Sequence, residues 1–170
     1  RSFHVTGVQT CALPIYRILV TDHGYNACSN AARYFSKRAS AEVDLINLRF
    51  PGSDANEFIE RILGACTSRT RLLLIDHITS PTALIMPLEE IVPAEQQRGI
   101  QVLVDGAHAP GMLPLRLTDL GADYYTGNCH KWMCAPKGTA FLYVRPEHQS
   151  KLHPLTISHG MNRPVGDSTR

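Results

Sequence analysis

Asp105 and Lys131 are the residues whose types and setting could do chemistry. Asp105 follows the apolar run Gln101–Val104, and Lys131 follows the shorter run Tyr124–Thr126. Both fall in one stretch that starts at Val104, VDGAHAPGMLPLRLTDLGADYYTGNCHKWMCAPKG. If both runs are strands of one sheet, a carboxylate and a lysine amine meet at the same sheet edge. An amine forms a Schiff base with an aldehyde, and a carboxylate keeps a basic ring nitrogen protonated through its opposite charge. The pair would suit a cofactor that carries both a carbonyl and a basic ring nitrogen. Such a ring draws electrons from a carbanion, and the lysine, once displaced from the carbonyl, is free as a general acid or base.

Taken singly, these residues have plainer readings. A histidine after a strand is most often a polar loop residue, and a lone lysine is most often a solvated surface charge. Asp105 before Gly106 would serve as a helix cap or an Asx turn. The chemical reading rests on coincidence, because four expected strand ends carry reactive groups: His23, His77, Asp105 with His108, and His130 with Lys131. In open α/β sheets, ligands sit outside the carboxyl ends of the strands.

The elements that must position these groups follow from periodicity. Arg17–Val20 predicts a strand, and Ala27, Ala31, Tyr34 and Phe35 recur at helical spacing within a helix from about Tyr25 to Lys37. Val43–Leu48 predicts a strand, Pro51-Gly52 a break, and Ser53 or Asp54 a cap for a helix running to Ala65. Thr70–Ile75 is a continuous apolar strand, as expected when helices cover both faces. Pro87 opens a helix to about Arg98, with Gly99 past its end. Gln101–Val104, Tyr124–Thr126 and Thr139–Val144 predict further strands, Thr118–Leu120 a single helical turn, and Pro146–Leu152 a helix. Alternating strands and helices predict an α/β fold with three layers, a mostly parallel sheet flanked by helices. Too few residues separate Lys131 from Thr139–Val144 for a helical crossover, so that strand is expected to run antiparallel.

The chain has 170 residues, 44% hydrophobic and 19% charged, with a formal net charge of +2. That is enough for one sizeable core. The near-neutral balance, with no basic stripe among aromatics, gives nucleic-acid binding no support. No apolar stretch approaches the ~18 residues of a membrane span. Cys11, Cys28, Cys66, Cys129 and Cys134 lack a metal-ligand spacing, so no metal site is expected and reduced thiols are. Val5–Ile15, VTGVQTCALPI, resembles the in-frame translation of a sequencing-library adapter, so residues 1–15 are expected to be non-native. Ser158–Arg170 ends in polar loop sequence, and residues 161–170 read as a linker toward a further domain. Residues 16–160 are then the unit to interpret, an interior fragment of a longer protein.

The phrases LVTDHGYNA, DHITSPTALIMPLEEI, VLVDGAHAPG, GADYYTGNCHKW and CAPKGTAFLYVRPE carry a resemblance over roughly Arg17 to Gly160. The chain resembles the class V aminotransferase family of fold type I pyridoxal-phosphate enzymes, and within it the isopenicillin N epimerase-like branch. The resemblance implies the large domain of that fold and pyridoxal 5'-phosphate as cofactor. Carried over by position, Lys131 looks like the lysine that holds the cofactor aldehyde, and Asp105 like the partner of its ring nitrogen. His108 falls where relatives place a Gln or His near the ring's phenolic oxygen. His23 falls where related desulfurases place a histidine that stacks on the ring. Asn128 and His130 fall where relatives contact the phosphate, and Ser80 where some have an Asn near the phenolic oxygen. Trp132 reads as packing. Ala83 stands where many relatives have Gly, and Asn128 where many have Ser or Thr. The family's phosphate loop and its substrate-carboxylate arginine have no counterpart here.

By resemblance, the whole protein is expected to be a cytoplasmic homodimer acting at the α-carbon of a small amino acid, by transamination, epimerisation or elimination. The rival is a module of the same fold that has lost cofactor binding. Cys129 and Cys134 would suit a desulfurase thiol, but Cys129, two residues before Lys131, reads better as a small buried apolar side chain. A nicotinamide-binding domain is excluded, because no G-x-G-x-x-G follows any strand.

Overall fold

Six short strands, most followed by a helix or a helical turn, build the chain in a computed structural model that describes residues 16–51 and 54–152. In chain order they are β1 (Arg17–Thr21), α1 (Asn26–Arg38), β2 (Glu42–Ile46), α2 (Ala55–Ala65), β3 (Thr70–Asp76), α3 (Leu88–Gln97), β4 (Gln101–Gly106), α4 (Leu117–Leu120), β5 (Tyr124–Asn128), β6 (Ala140–Val144) and α5 (Pro146–Gln149). The strands form one sheet in the order β2-β1-β3-β4-β5-β6. All neighbouring pairs are parallel except β5 with β6. The antiparallel last strand follows from its short connection, which leaves no room for a crossover helix. The expectations for residues 1–15, Ser53 and 153–170 lie outside the described residues.

Alternation along the strands gives each face a separate partner. Leu19, Leu73, Ile75, Val102, Val104 and Tyr125 point to one face, where they meet Phe58 and Ile62 of α2 and Leu88, Ile91 and Val92 of α3 in a single buried core. Ile18, Leu72, Leu74 and Leu103 point to the other face, where Ala31, Ala32 and Phe35 of α1 line an apolar groove of about 310 Å³ with them. The sheet thus lies between α1 on one side and α2 with α3 on the other. Asp54 caps α2 by accepting from the Glu57 N–H at 2.9 Å, one of the two capping residues the sequence offers.

Several boundaries differ from expectation: α5 stops at Gln149 rather than Leu152, and β4 and β5 run on to Gly106 and Asn128. β2 ends at Ile46, because Leu48 has left the ladder: its N–H donates to the Asp22 carboxylate at 2.9 Å while its side chain stays buried. Pro87 precedes α3 rather than opening it, and the helix begins at Leu88.

Asp123, at the start of β5, ties this region together. Its carboxylate accepts from the Val102 N–H at 2.8 Å and the Gln96 amide at 3.0 Å, and lies 2.7 Å from His148 Nε2. Burial pushes this carboxyl up, but the bonds from Gln96, Val102 and His148 outweigh it and hold the acid below its ordinary range. The anchor fixes where β5 starts, and so where Asn128, His130 and Lys131 emerge.

Candidate active site

Asp105 is the fifth residue of β4 and one of its buried ones. Its first oxygen accepts from the Ala107 N–H at 3.0 Å, an Asx-type turn that carries the chain away from the sheet. Its second oxygen lies 3.1 Å from the Cys28 sulfur on α1, which donates to it. Burial, then this bond to Asp105, push the Cys28 thiol up to about 12, so it stays a protonated donor. Beneath the turn, any side chain on Gly106 would enter the Tyr125 ring. Tyr125 is in turn bonded through its hydroxyl to His77 Nδ1 at 2.7 Å.

The register pairs Asp105 with Asp76 at the end of neighbouring β3. Two buried carboxyls on adjacent parallel strands cannot both ionise freely. Burial first, and then the charge of Asp105, push the Asp76 carboxyl up to about 7. The N–H groups of Tyr25 and Ser80 donate to it, which partly offsets the rise. Asp76 thereby links the loop after β1 to the loop after β3.

Lys131 lies in the turn after β5, half-buried, with Nζ 3.1 Å from His108 Nε2. The other ring nitrogen, Nδ1, accepts from the Trp132 indole N–H at 3.1 Å. Burial and then the neighbouring Lys131 charge lower the basicity of His108, with Asp105 opposing. Lys131 Nζ also stands 5.9 Å from the centre of the Tyr25 ring. His108, Lys131 and Trp132 line an open depression of about 380 Å³. The loop after β4 and the turn after β5 approach closely at Gly111, which has φ +88°. A side-chain carbon there would stand 2.8 Å from the Trp132 carbonyl group.

Of the predicted residues, Asp105, His108 and Lys131 gather at the carboxyl edge of β4 and β5. The recorded partners of His23 lie elsewhere: Nδ1 is 2.8 Å from the Thr82 hydroxyl and Nε2 3.2 Å from the Leu48 carbonyl. Ser80 is exposed in the loop after β3, and its backbone, rather than its hydroxyl, touches the cluster through Asp76. Asn128 ends β5 opposite Ala140. His130 donates through Nδ1 to the Thr139 carbonyl, 2.9 Å away; a carbonyl only accepts, so Nδ1 carries the proton and Nε2 is left for other work. Cys129 is half-buried and Cys134 exposed. Ala83, the departure from glycine, has φ 55°, so this turn takes a left-handed backbone without the residue that favours it.

Asp76, Cys28 and the indole of Trp132 were not foreseen in these roles. The signal available for Asp76 was its place at the end of the apolar run Thr70–Ile75. Trp132 is not simple packing, because it is more than half exposed and its N–H is engaged. Among the described residues no group of His, Cys, Asp and Glu is arranged to hold a metal ion. No described helix is long and apolar enough to cross a membrane.

Comparison with known proteins agrees with the fold. Isopenicillin N epimerase from Streptomyces clavuligerus is 36% identical over 149 residues, covering 88% of this chain and 37% of the relative. L-cysteine desulfhydrase from Arabidopsis thaliana is 37% identical over 134 residues, covering 74% of this chain and 29% of the relative. The chain thus spans about a third of the length of these curated relatives. Among solved structures, the cystine C-S lyase C-DES in complex with cysteine persulfide superposes with a TM-score of 0.75 at 26% identity, covering 82% of this chain and 38% of that one. A C-DES mutant with glycine covalently linked to its pyridoxal-phosphate cofactor also has a TM-score of 0.75, at 25% identity, covering 82% and 37%. The sequence model of aminotransferase class V matches residues 8–168. With a mostly parallel sheet that gathers Asp105, His108 and Lys131 at its carboxyl edge, and a family match across nearly its whole length, the chain belongs to the class V aminotransferase family.

Proposed function

We propose that the chain is part of the large domain of a pyridoxal-phosphate enzyme that acts at the α-carbon of a small amino acid. The observation that carries this reading is the meeting of Lys131 and His108, 3.1 Å apart, beside the end of the strand that supplies buried Asp105. The donor set fits the group: an amine for its aldehyde, a carboxylate for its ring nitrogen, and an imidazole between them. When bound, pyridoxal 5'-phosphate supplies an electron sink for a carbanion at the substrate's α-carbon.

The chain's own residues supply the rest. Asp105, with one oxygen held by Ala107 and the other by Cys28, presents a fixed carboxylate to a protonated ring nitrogen. Lys131 captures the carbonyl and, once released, holds or moves the proton at the α-carbon. His108, kept neutral by burial and by Lys131, places an imidazole nitrogen at the ring's edge. His130 Nε2 and Asn128, at the end of β5, are assigned to the phosphate, Ser80 to the phenolic oxygen, and His23 to the face of the ring. By resemblance to the family alone, the whole protein is taken as a cytoplasmic homodimer. Epimerisation and elimination are the outcomes that the named relatives favour.

Borohydride reduction after incubation with pyridoxal phosphate is the test. It is expected to fix a pyridoxyl group on the peptide that contains Lys131; an adduct elsewhere, or none, refutes the assignment. In Asp105→Asn the cofactor is still captured, while α-proton exchange of bound amino acid falls by about a hundredfold or more. Undiminished exchange would remove Asp105 from the ring nitrogen.

A further inference from the structure

The side chain that follows the lysine makes a bond whose direction can be settled by counting protons. The Trp132 indole nitrogen has a hydrogen and no accepting lone pair, so it only donates. Its partner, His108 Nδ1 at 3.1 Å, must therefore offer a lone pair. A neutral imidazole has one N–H and one bare nitrogen, so the proton of His108 sits on Nε2. That nitrogen is the one 3.1 Å from Lys131 Nζ. An ammonium at Nζ would bring a second donor to the same contact, so the two bonds coexist only when Nζ, or a nitrogen formed from it, supplies the lone pair.

We propose that Trp132 is a positioning residue that fixes the tautomer of His108, so that His108 offers an Nε2–H donor to Lys131 Nζ and to the carbonyl end of the cofactor. Three features support it. Burial depresses the basicity of His108, which favours the neutral ring that a fixed tautomer requires. The rings of His108 and Trp132 lie with centres 6.4 Å apart and planes tilted by 52°, a pose in which the indole edge rather than its face meets the imidazole. Gly111 lets the backbone of Trp132 approach the loop that carries His108, as no larger residue could. The tautomer stands on geometry alone, whereas its effect on the cofactor rests on the reading of Lys131 as the lysine that captures the carbonyl.

The experiment uses the whole protein that contains this chain, labelled with nitrogen-15 histidine and incubated with pyridoxal phosphate so that Nζ is no longer an ammonium. His108 is assigned by the signal missing from His108→Gln, and long-range proton–nitrogen correlations read its tautomer. The expected result is Nε2–H in the wild type and a mixture, or Nδ1–H, in Trp132→Phe. Nδ1–H in the wild type, or an unchanged tautomer in Trp132→Phe, overturns the proposal. The rate at which pyridoxal phosphate is captured, read by quenching with borohydride and mapping the peptide, is then compared. Loss of this one exposed hydrogen bond is expected to slow capture in Trp132→Phe by about two- to tenfold. The same substitution made on a His108→Gln background is expected to have no further effect, which a purely structural tryptophan would not obey. A shifted tautomer with unchanged capture refutes the effect on the cofactor. Failure of the wild type to capture the cofactor at Lys131, with the Nε2–H tautomer present, refutes the function and leaves the role of Trp132 standing.

Discussion

Asp76→Asn isolates the cost of placing a second acid beside Asp105. In the unfolded chain an aspartate titrates near 4. In the fold, burial and the charge of Asp105 move Asp76 to about 7. Below pH 4 the acid is protonated in both states, and the fold bears no cost. As the pH rises, the unfolded chain releases the proton first, so stability falls by about 1.4 kcal/mol per pH unit until the folded acid also ionises near pH 7. The whole loss is about 4 kcal/mol. Asn keeps an acceptor for the Tyr25 and Ser80 N–H groups and does not ionise. Its added amide hydrogens need partners, a cost of about 1 kcal/mol at every pH. Asp76→Asn is therefore expected to be about 1 kcal/mol less stable than wild type near pH 4 and about 3 kcal/mol more stable at pH 8. Urea unfolding of the cofactor-free protein, followed by circular dichroism at pH 4, 6 and 8, measures both. Parallel pH profiles for the two proteins would refute the placement of a protonated acid at the end of β3.

Three other substitutions test the frame around the site. Gly111→Ala combines a left-handed backbone with a carbon 2.8 Å from the Trp132 carbonyl group; it is expected to cost about 2 kcal/mol or more by thermal unfolding and to release the Trp132–His108 bond in the histidine spectrum. Asp123→Ala removes the acceptor of the Val102 N–H, the Gln96 amide and His148, leaving buried donors unmet; a loss of about 3 kcal/mol is expected in urea unfolding at pH 7, shrinking at low pH as the wild-type acid protonates. Ala83→Gly relieves the left-handed turn after Thr82 and should raise stability by about 0.5–1 kcal/mol, seen as a higher unfolding midpoint with an unchanged denaturant slope.

The strands and helices were legible because their apolar residues keep one period over whole elements. Thr70–Ile75 could be recognised as a buried strand by its unbroken run, and the direction of β6 followed from the length of its connection. Asp105 and Lys131 could be picked out because each follows such a run. What escaped depends on neighbours that local pattern does not encode. Asp76 becomes an unusual acid because packing buries it and because β3 lies next to β4 in matching register, which sets Asp105 beside it. Cys28 reaches Asp105 across the face covered by α1, far away in sequence. The indole of Trp132 meets His108 only because the chain turns at Gly111. For His23 the sequence offered a type and a place at the end of β1, while its partners, Thr82 and the Leu48 carbonyl, lie on two other loops.

The alternation along β4 has a consequence for how this chain tolerates change. Val102 and Val104 fill the core beneath α2 and α3, which sends Leu103 and Asp105 to the opposite face. The direction in which the carboxylate points is therefore decided by two valines that never meet a ligand. A shift of β4 by one residue would turn the acid into the hydrophobic core and a valine toward the site. Orientation of the reactive acid is thus inherited from packing, and drift in the loops can retune its surroundings without turning it over.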